Sequence, residues 1–297
     1  MDRHKLALNF RLSARPQHPF LPRSGSALKP ALTVLVLLAS SPALAEIKVD
    51  AAAAASQQTS VGQSERGVPV INIANPDSNG LSHNRFELFH VDKPGVVFNN
   101  SLAAGVSQLG GALSANANLS RRAQVILNEV TGNQPSTLAG ALEVFGGKAD
   151  VIVANTLSNS LTASTFAFGN LGLDIGATFS NAGYLAAQGF AAIVAQDMQI
   201  KSGARLLFAG GATLAARASL ATQDHSSLYS SADLTINAGV DLNTAGDIRS
   251  KGKLIMHADQ ALDNTGNIVS DMDIDLSSKL MMKNDAGGLI YAMGSLM

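Results

Sequence analysis

The feature that most constrains the fold is a short unit repeated at nearly fixed spacing in the second half of the chain. Phe179-Ser-Asn-Ala-Gly-Tyr-Leu185 matches Leu262-Asp-Asn-Thr-Gly-Asn-Ile268, and both match Leu242-Asn-Thr-Ala-Gly-Asp-Ile248, where the Asn moves by one place. Gly246 and Gly266 lie 20 residues apart, while Gly183 and Gly246 lie 63 apart, close to three such steps. A period near 20 made of short strand-like pieces implies a solenoid, because one coil cannot bury its strands alone and must stack on its neighbours. Stacked coils pair their backbones about 4.8 Å apart, with Leu, Ile, Val and Ala filling the interior. Asn at the same corner of successive coils is placed to hydrogen-bond along the stack, and Gly to supply a positive φ at the bend.

Upstream, β-branched runs such as Val68-Pro-Val-Ile-Asn-Ile73, Val96-Val-Phe98, Val125-Ile-Leu127 and Val151-Ile-Val153 are bounded by Asn, Gly, Ser or Pro, the pattern of strands with turns. Charged residues make up only 14% of the chain and the mean hydropathy is +0.17, too apolar for a disordered polar chain. The predicted fold class is all-β, a parallel β-helix starting near Gly67. The 231 residues from Gly67 to Met297 make about eleven coils and a rod near 50 Å long. A two-layer sandwich also gives short strands, but it does not require the repeated unit.

Residues 1–30 carry Arg3, Lys5, Arg11, Arg15, Arg23 and Lys29 against Asp2 alone, and the uncharged apolar run Ala31 to Ala39 follows. Small residues Ala43 and Ala45 then stand at the spacing that signal peptidase needs. Residues 1–45 are therefore expected to be an extended signal peptide cleaved before Glu46. The run falls short of the roughly 20 residues that span a bilayer, so no stable membrane span is expected. Residues 46–66, with Ala51 to Ala55 and Ser56-Gln-Gln-Thr-Ser60, lack apolar periodicity and read as a linker. Without residues 1–45 the totals of 21 basic and 22 acidic residues fall to 15 and 21, about six net negative charges. Scattered cations on a negative chain exclude nucleic acid as an expected partner. The absence of cysteine excludes disulfides, thiolate catalysis and Cys-containing zinc sites.

Between Gly67 and Asn155 several blocks stand together: Gly67-Val-Pro-Val-Ile-Asn-Ile-Ala74; Gly80-Leu-Ser-His-Asn84 with Phe89, Val91, Gly95 and Phe98-Asn-Asn-Ser101; Ala123-Gln-Val-Ile-Leu-Asn-Glu-Val130 with Gly132, Ser136, Leu138 and Gly140; and Glu143-Val144, Gly146 and Ala149-Asp-Val-Ile-Val-Ala-Asn155. This segment resembles the secretion domain of the filamentous haemagglutinin and contact-dependent-inhibition exoproteins of two-partner secretion. The resemblance implies a right-handed β-helix recognised by a dedicated outer-membrane transporter, in a secreted or cell-surface adhesin or stem. A host or neighbouring-cell receptor is a further partner of that kind of protein. The family's Asn-Pro-Asn-Leu element corresponds to Asn116-Ala-Asn-Leu119, with Ala117 in place of Pro, and its Asn-Pro-Asn-Gly-Ile element is due at Asn155, where the chain reads Asn155-Thr-Leu-Ser-Asn159. Asn116, Asn118, Leu119 and Asn155 are accordingly the expected transporter-recognition residues. His83, Asn84, Asn99, Asn100, Asn128 and Glu129 are expected to hold the domain's structure. On this reading residues 67–155 are an incomplete secretion domain and 156–297 haemagglutinin-type repeats, as in a truncated or decayed member or a fragment of a longer gene.

No catalytic residue, metal or cofactor is expected. His83, with His90 seven positions on, lacks a ligand cluster and reads as hydrogen-bonded to a turn. Glu129 is expected to pair with Arg121 or Arg122, and no spacing shows the facing carboxylates of a glycosidase. Asp271, Asp273 and Asp275 alternate along what reads as one strand face, a solvated acidic face without the glycine-rich calcium loop. The alternatives are a β-helical polysaccharide-active enzyme, against which Arg205, Arg217, Arg249, Lys251 and Lys253 are scattered, and a non-functional truncated product.

Overall fold

A computed structural model describes residues 46–155, 159–161 and 164–297. The expected signal segment, with Ala43 and Ala45, lies outside the described residues. Residues beyond it form a parallel β-solenoid.

Each repeat crosses three faces. On the first, Leu171, Ala191, Ala212, Leu234, Leu254 and Ile274 stack one above another, giving steps of 20, 21, 22, 20 and 20 residues. On the second, Phe179, Met198, Leu220, Leu242, Leu262 and Met282 stack. On the third, Leu185, Leu206, Leu228, Ile248, Ile268 and Ile290 do so. The first and last positions of the repeated unit are thus two interior columns. The 63-residue gap is three coils, two of them slightly long. Strands Leu171–Asn181 and Ala191–Ile200 run from the first face onto the second, and their register shifts between Ile175 and Thr178.

Alternation does the rest. In Leu254–Ala258 the residues Leu254, Met256 and Ala258 are buried while Ile255 and His257 face outward, because successive strand side chains point to opposite faces. One continuous core runs from Ile71 to Leu276. Near the N-terminal end it is aromatic, with Phe86, Phe89 and Phe98 buried and ring centroids 5.1 and 6.4 Å apart.

Two expectations are corrected. Residues 46–66 are not a linker: Ile47–Val49 pairs antiparallel with Leu81–Phe89, and Ser60–Gln63 pairs antiparallel with Pro69–Asn72. They form a cap over the first coil, where an open stack would leave backbone groups unpaired. Glycine at the repeated corner does not supply a positive φ either, since Gly246 and Gly266 are absent from the left-handed positions. It is there because the coils approach closely: a Cβ on Gly266 would collide with the carbonyl oxygen of Gly246. The expected corner ladder forms in one stretch, where Thr244 Oγ1 donates to Asn264 Oδ1 at 2.8 Å and Asn264 Nδ2 to Asn284 Oδ1 at 2.7 Å.

The first coils are longer. Leu81 stacks on Val125, 44 residues on, and the extra length includes the antiparallel hairpin Gly105–Ser107 with Gly111–Leu113. Past Asn155 the ladder continues without a break onto Leu171–Asn181. Among the described residues no helix is long and apolar enough to cross a membrane.

Candidate functional site

The residues singled out from the sequence gather at the capped end of the rod, most of them in the first three coils, and there they divide by burial.

The buried ones tie backbone to backbone. Asn116 is 3% exposed; its amide donates to the carbonyls of Ile73 and Asn99 at 3.0 and 2.9 Å, and its Oδ1 accepts the Asn118 N–H at 3.0 Å. Leu119 N donates to Asn116 O at 3.2 Å, closing a β-turn with Ala117 at its second position, so the turn forms without proline. Asn100 donates to the Ala123 and Gly147 carbonyls and accepts the Ala123 N–H at 2.7 Å. Asn84 Oδ1 accepts from Ala74 N at 2.8 Å and its amide donates to Leu127 O, as Asn128 does to Ile152 O one coil on. Asn99 donates to Asn72 Oδ1 and Ser114 O. Asn155, buried at the edge of the same region, donates to Ser136 Oγ at 2.8 Å. Asn84, Asn100 and Asn116 each use the donor and the acceptor of one amide to tie separate segments together.

The ionisable residues form a surface relay that fastens the cap. Gln57 Nε2 in the short 3-10 turn Ala55–Gln57 donates to His83 Nδ1 at 2.7 Å. An amide nitrogen has no lone pair to accept with, so the proton sits on His83 Nε2, which donates to Glu129 Oε2 at 2.8 Å. Glu129 also meets Arg85 Nε at 3.4 Å, and Arg85 Nη2 reaches Asp50 at 3.2 Å. The expected partners Arg121 and Arg122 are not used: Arg85 and His83 stand in the adjacent strand, with Arg85 directly opposite Glu129. Asp50 accepts the Ala52 N–H at 2.8 Å and the Thr131 hydroxyl at 2.9 Å. These bonds, the Ala52 N–H first and then Thr131, with the Arg85 charge, hold its carboxyl below the ordinary aspartate value of 3.8.

Two further arrangements were not readable from the sequence. Glu143, 6% exposed, accepts from Ser107 Oγ, Gln108 N and Leu109 N, each at 2.8 Å, and so fixes the hairpin. Its partners lie 34 to 36 residues upstream, and no local signal marks them. Glu129 and Asp174 also share one groove of about 410 Å³ with Asn155, Gln196 and Arg217, although Asp174 is already paired with Arg217 at 3.1 Å. Of the expected acidic face only Asp275 lies in a strand. Asp271 pairs with Arg249, Asp275 with Lys253, and Asp273 accepts the Ser295 N–H. No group of three His, Asp or Glu among the described residues is arranged to hold a metal ion.

A cleft of about 570 Å³ opens between the cap turn and the first coil. Its lining includes Gln57 and Gln58 from the cap, Asn75 and Asp77 from the loop before Leu81–Phe89, His83, and Asn118 from the turn.

Comparison with known proteins agrees with this architecture. The TPS secretion domain family model matches residues 45–288, a span that crosses residue 155. Filamentous hemagglutinin of Bordetella pertussis is 53% identical over 127 residues, 42% of this chain and 4% of that protein. A hemolysin of Serratia marcescens is 43% identical over 148 residues, 50% of this chain and 8% of that protein. The toxin CdiA of Yersinia pestis is 41% identical over 138 residues, 45% and 4%. The crystal structure of the filamentous hemagglutinin secretion domain superposes with a TM-score of 0.55 at 26% identity, covering 82% of this chain and 99% of that one. This chain therefore spans less than a tenth of the length of these relatives.

Proposed function

This chain belongs to the TPS secretion domain family, and from that premise we propose that it is an export-directing β-helix. In this reading it is part of a secreted or cell-surface exoprotein of the adhesin or contact-dependent-inhibition-stem kind, and an outer-membrane transporter recognises its capped N-terminal coils. The observation that carries the reading is the family match over residues 45–288, which spans the cap, the Asn116–Leu119 turn and the regular coils alike. The sequence-level division at residue 155 then marks a difference of role within one solenoid: recognition in the first coils, a passive stem in the rest. Catalysis has no part in the proposal. Glu129 and Asp174, the carboxylates that share a groove, are each ion-paired with an arginine of the fold, Arg85 and Arg217.

The test is co-expression of the full chain with a cognate transporter. The expected outcome is processed protein outside the cell only when the transporter is present. Equal retention in the periplasm with and without the transporter overturns the reading.

A further inference from the structure

The outer surface of the regular coils is not the same on its three faces. On the first and second faces the outward columns are mostly small or polar, with Thr213, Thr235 and Asn237 on the first and Gln199, Asn243 and Asp263 on the second. The third face differs. There Phe166, Ala186, Leu207 and Tyr229 stack in successive coils, and beyond Arg249 the column continues with Val269 and Tyr291. These positions alternate with the buried Leu185, Leu206, Leu228, Ile248 and Ile268, so they lie on the outside of the sheet. Six steps of about 4.8 Å make a stripe roughly 29 Å long. Beside it a second outward column runs through Tyr184, Arg205, Ser227, Asp247 and Asn267. All three tyrosines of the chain thus stand on this one surface, and tyrosine and arginine are side chains in which interfaces are enriched.

We propose that this face binds a second copy of the chain, the two rods lying antiparallel about a two-fold axis along the strand Ser227–Ser230. Charge placement selects this occupant. Arg205 and Asp247 share one column, one coil before and one coil after Ser227. A two-fold rotation about that strand keeps positions along the strand and reverses the order of the coils, so that the same patch serves both copies. It sets Arg205 of each copy against Asp247 of the other, twice per dimer, and Tyr229 against Tyr229 on the axis. Arg205 is exposed and has no ion-pair partner among the described residues, and the exposed Asp247 carboxylate accepts only from the Asn267 amide. The pairing therefore satisfies charges that folding leaves open. By the same operation Leu207 meets the aliphatic stem of the partner's Arg249, whose head group Asp271 already holds. An unrelated partner would not require an arginine and an aspartate to stand symmetrically about one strand. A contact one sheet face wide and roughly 29 Å long lies at the low end of stable interfaces, so the dimer forms only at high concentration.

The experiment is sedimentation velocity of the purified full chain from micromolar to millimolar concentration, where a monomer–dimer equilibrium is expected. Arg205→Asp and Asp247→Arg change exposed positions and each set two like-charged pairs across the axis. Each should raise the dimer dissociation constant by roughly tenfold or more, because like charges facing one another across an interface are costly, with an unchanged melting temperature. Mixed in equal amounts, the two variants should associate with each other about as well as the parent does with itself, since both contacts of the mixed dimer are again oppositely charged. The chain has no cysteine, so Tyr229→Cys supplies a single thiol. A short bis-maleimide should join two copies through position 229 and not through Asn243→Cys on the second face. A monomer at every concentration overturns the proposal. A dimer that both charge variants leave intact overturns it as well, and places the contact elsewhere on the rod. Failure of the mixed variants to associate overturns the antiparallel register. None of these measurements involves the transporter, so each outcome leaves the proposed function standing.

Discussion

At the scale of single residues, buried asparagines and closely packed glycines replace the large polar networks that a fold of this kind otherwise lacks. Asn100 is fully buried and joins two separate segments through three hydrogen bonds. Replacing it by alanine leaves buried carbonyls and an N–H without partners, which costs about 1–3 kcal/mol per unsatisfied group. Urea unfolding of Asn100→Ala should show a lower midpoint at an unchanged slope. Gly266→Ala should be destabilising by roughly 1–3 kcal/mol, since the new methyl meets the Gly246 backbone, which cannot move away as a side chain would. Ala117→Pro has the opposite sign. Ala117 occupies the second position of the turn, where proline's fixed φ is favoured, and its N–H donates no backbone bond. The substitution should stabilise by about 0.4–1 kcal/mol, measurable as a rise in melting temperature.

At the scale of elements, the cap is what the sequence concealed and the regular coils are what it revealed. The coils were legible because a parallel stack repeats its interior columns at coil spacing, so Leu262, Ile268 and their equivalents recur at 20 to 22 residues. The cap was not, because Ser60–Gln63 is an exposed edge strand and Ile47–Val49 is only partly covered. Neither leaves an apolar alternation to read. Similarly, the partner of Glu129 lies 46 residues away at His83, a distance set by one long first coil. That relay makes the cap sensitive to acid. A carboxyl whose folded pKa lies below its unfolded value contributes stability above the unfolded value and loses it as pH falls through the folded one. Asp50 is such a group, and Asp259, held down by the Lys279 ammonium and then His257, is another. Thermal melts should therefore show the chain losing stability as pH drops through 3.8 and below. Asp50→Asn should start less stable at neutral pH and lose less on acidification. Parallel pH curves for the two proteins would show that the Asp50 contacts add nothing to folding.

At the scale of the whole molecule, a solenoid gains its stability from neighbours in the stack, coil by coil, and has no single centre whose loss unfolds it. The consequences differ at its two ends. The last coils, Ile274–Ser278 and Met281–Asn284, pair on one side with coils that have complete ladders of their own, and most side chains of Met281–Asn284 and Leu289–Ala292 are exposed. Ending the chain after residue 270 removes these strands and uncovers one layer of apolar side chains headed by Leu254 and Met256. The preceding coils keep their contacts. The cap, by contrast, covers a cluster of buried phenylalanines, with Phe86 and Phe89 in the strand that Ile47–Val49 pairs. Deleting residues 46–66 removes the Asp50 and Gln57 anchors together with two antiparallel strands. The expected outcome is asymmetric. The chain lacking residues 271–297 should remain soluble, with a β-type circular dichroism spectrum and a melting temperature lowered by a few degrees, whereas the chain lacking 46–66 should aggregate or expose its first coils to proteolysis. Hydrogen exchange should report the same order, with amides of Ile193, Leu214 and Ile236 in the middle of the stack exchanging last. Equal loss of protection throughout the rod on either deletion would mean that it unfolds as one cooperative unit and that the nearest-neighbour picture does not hold.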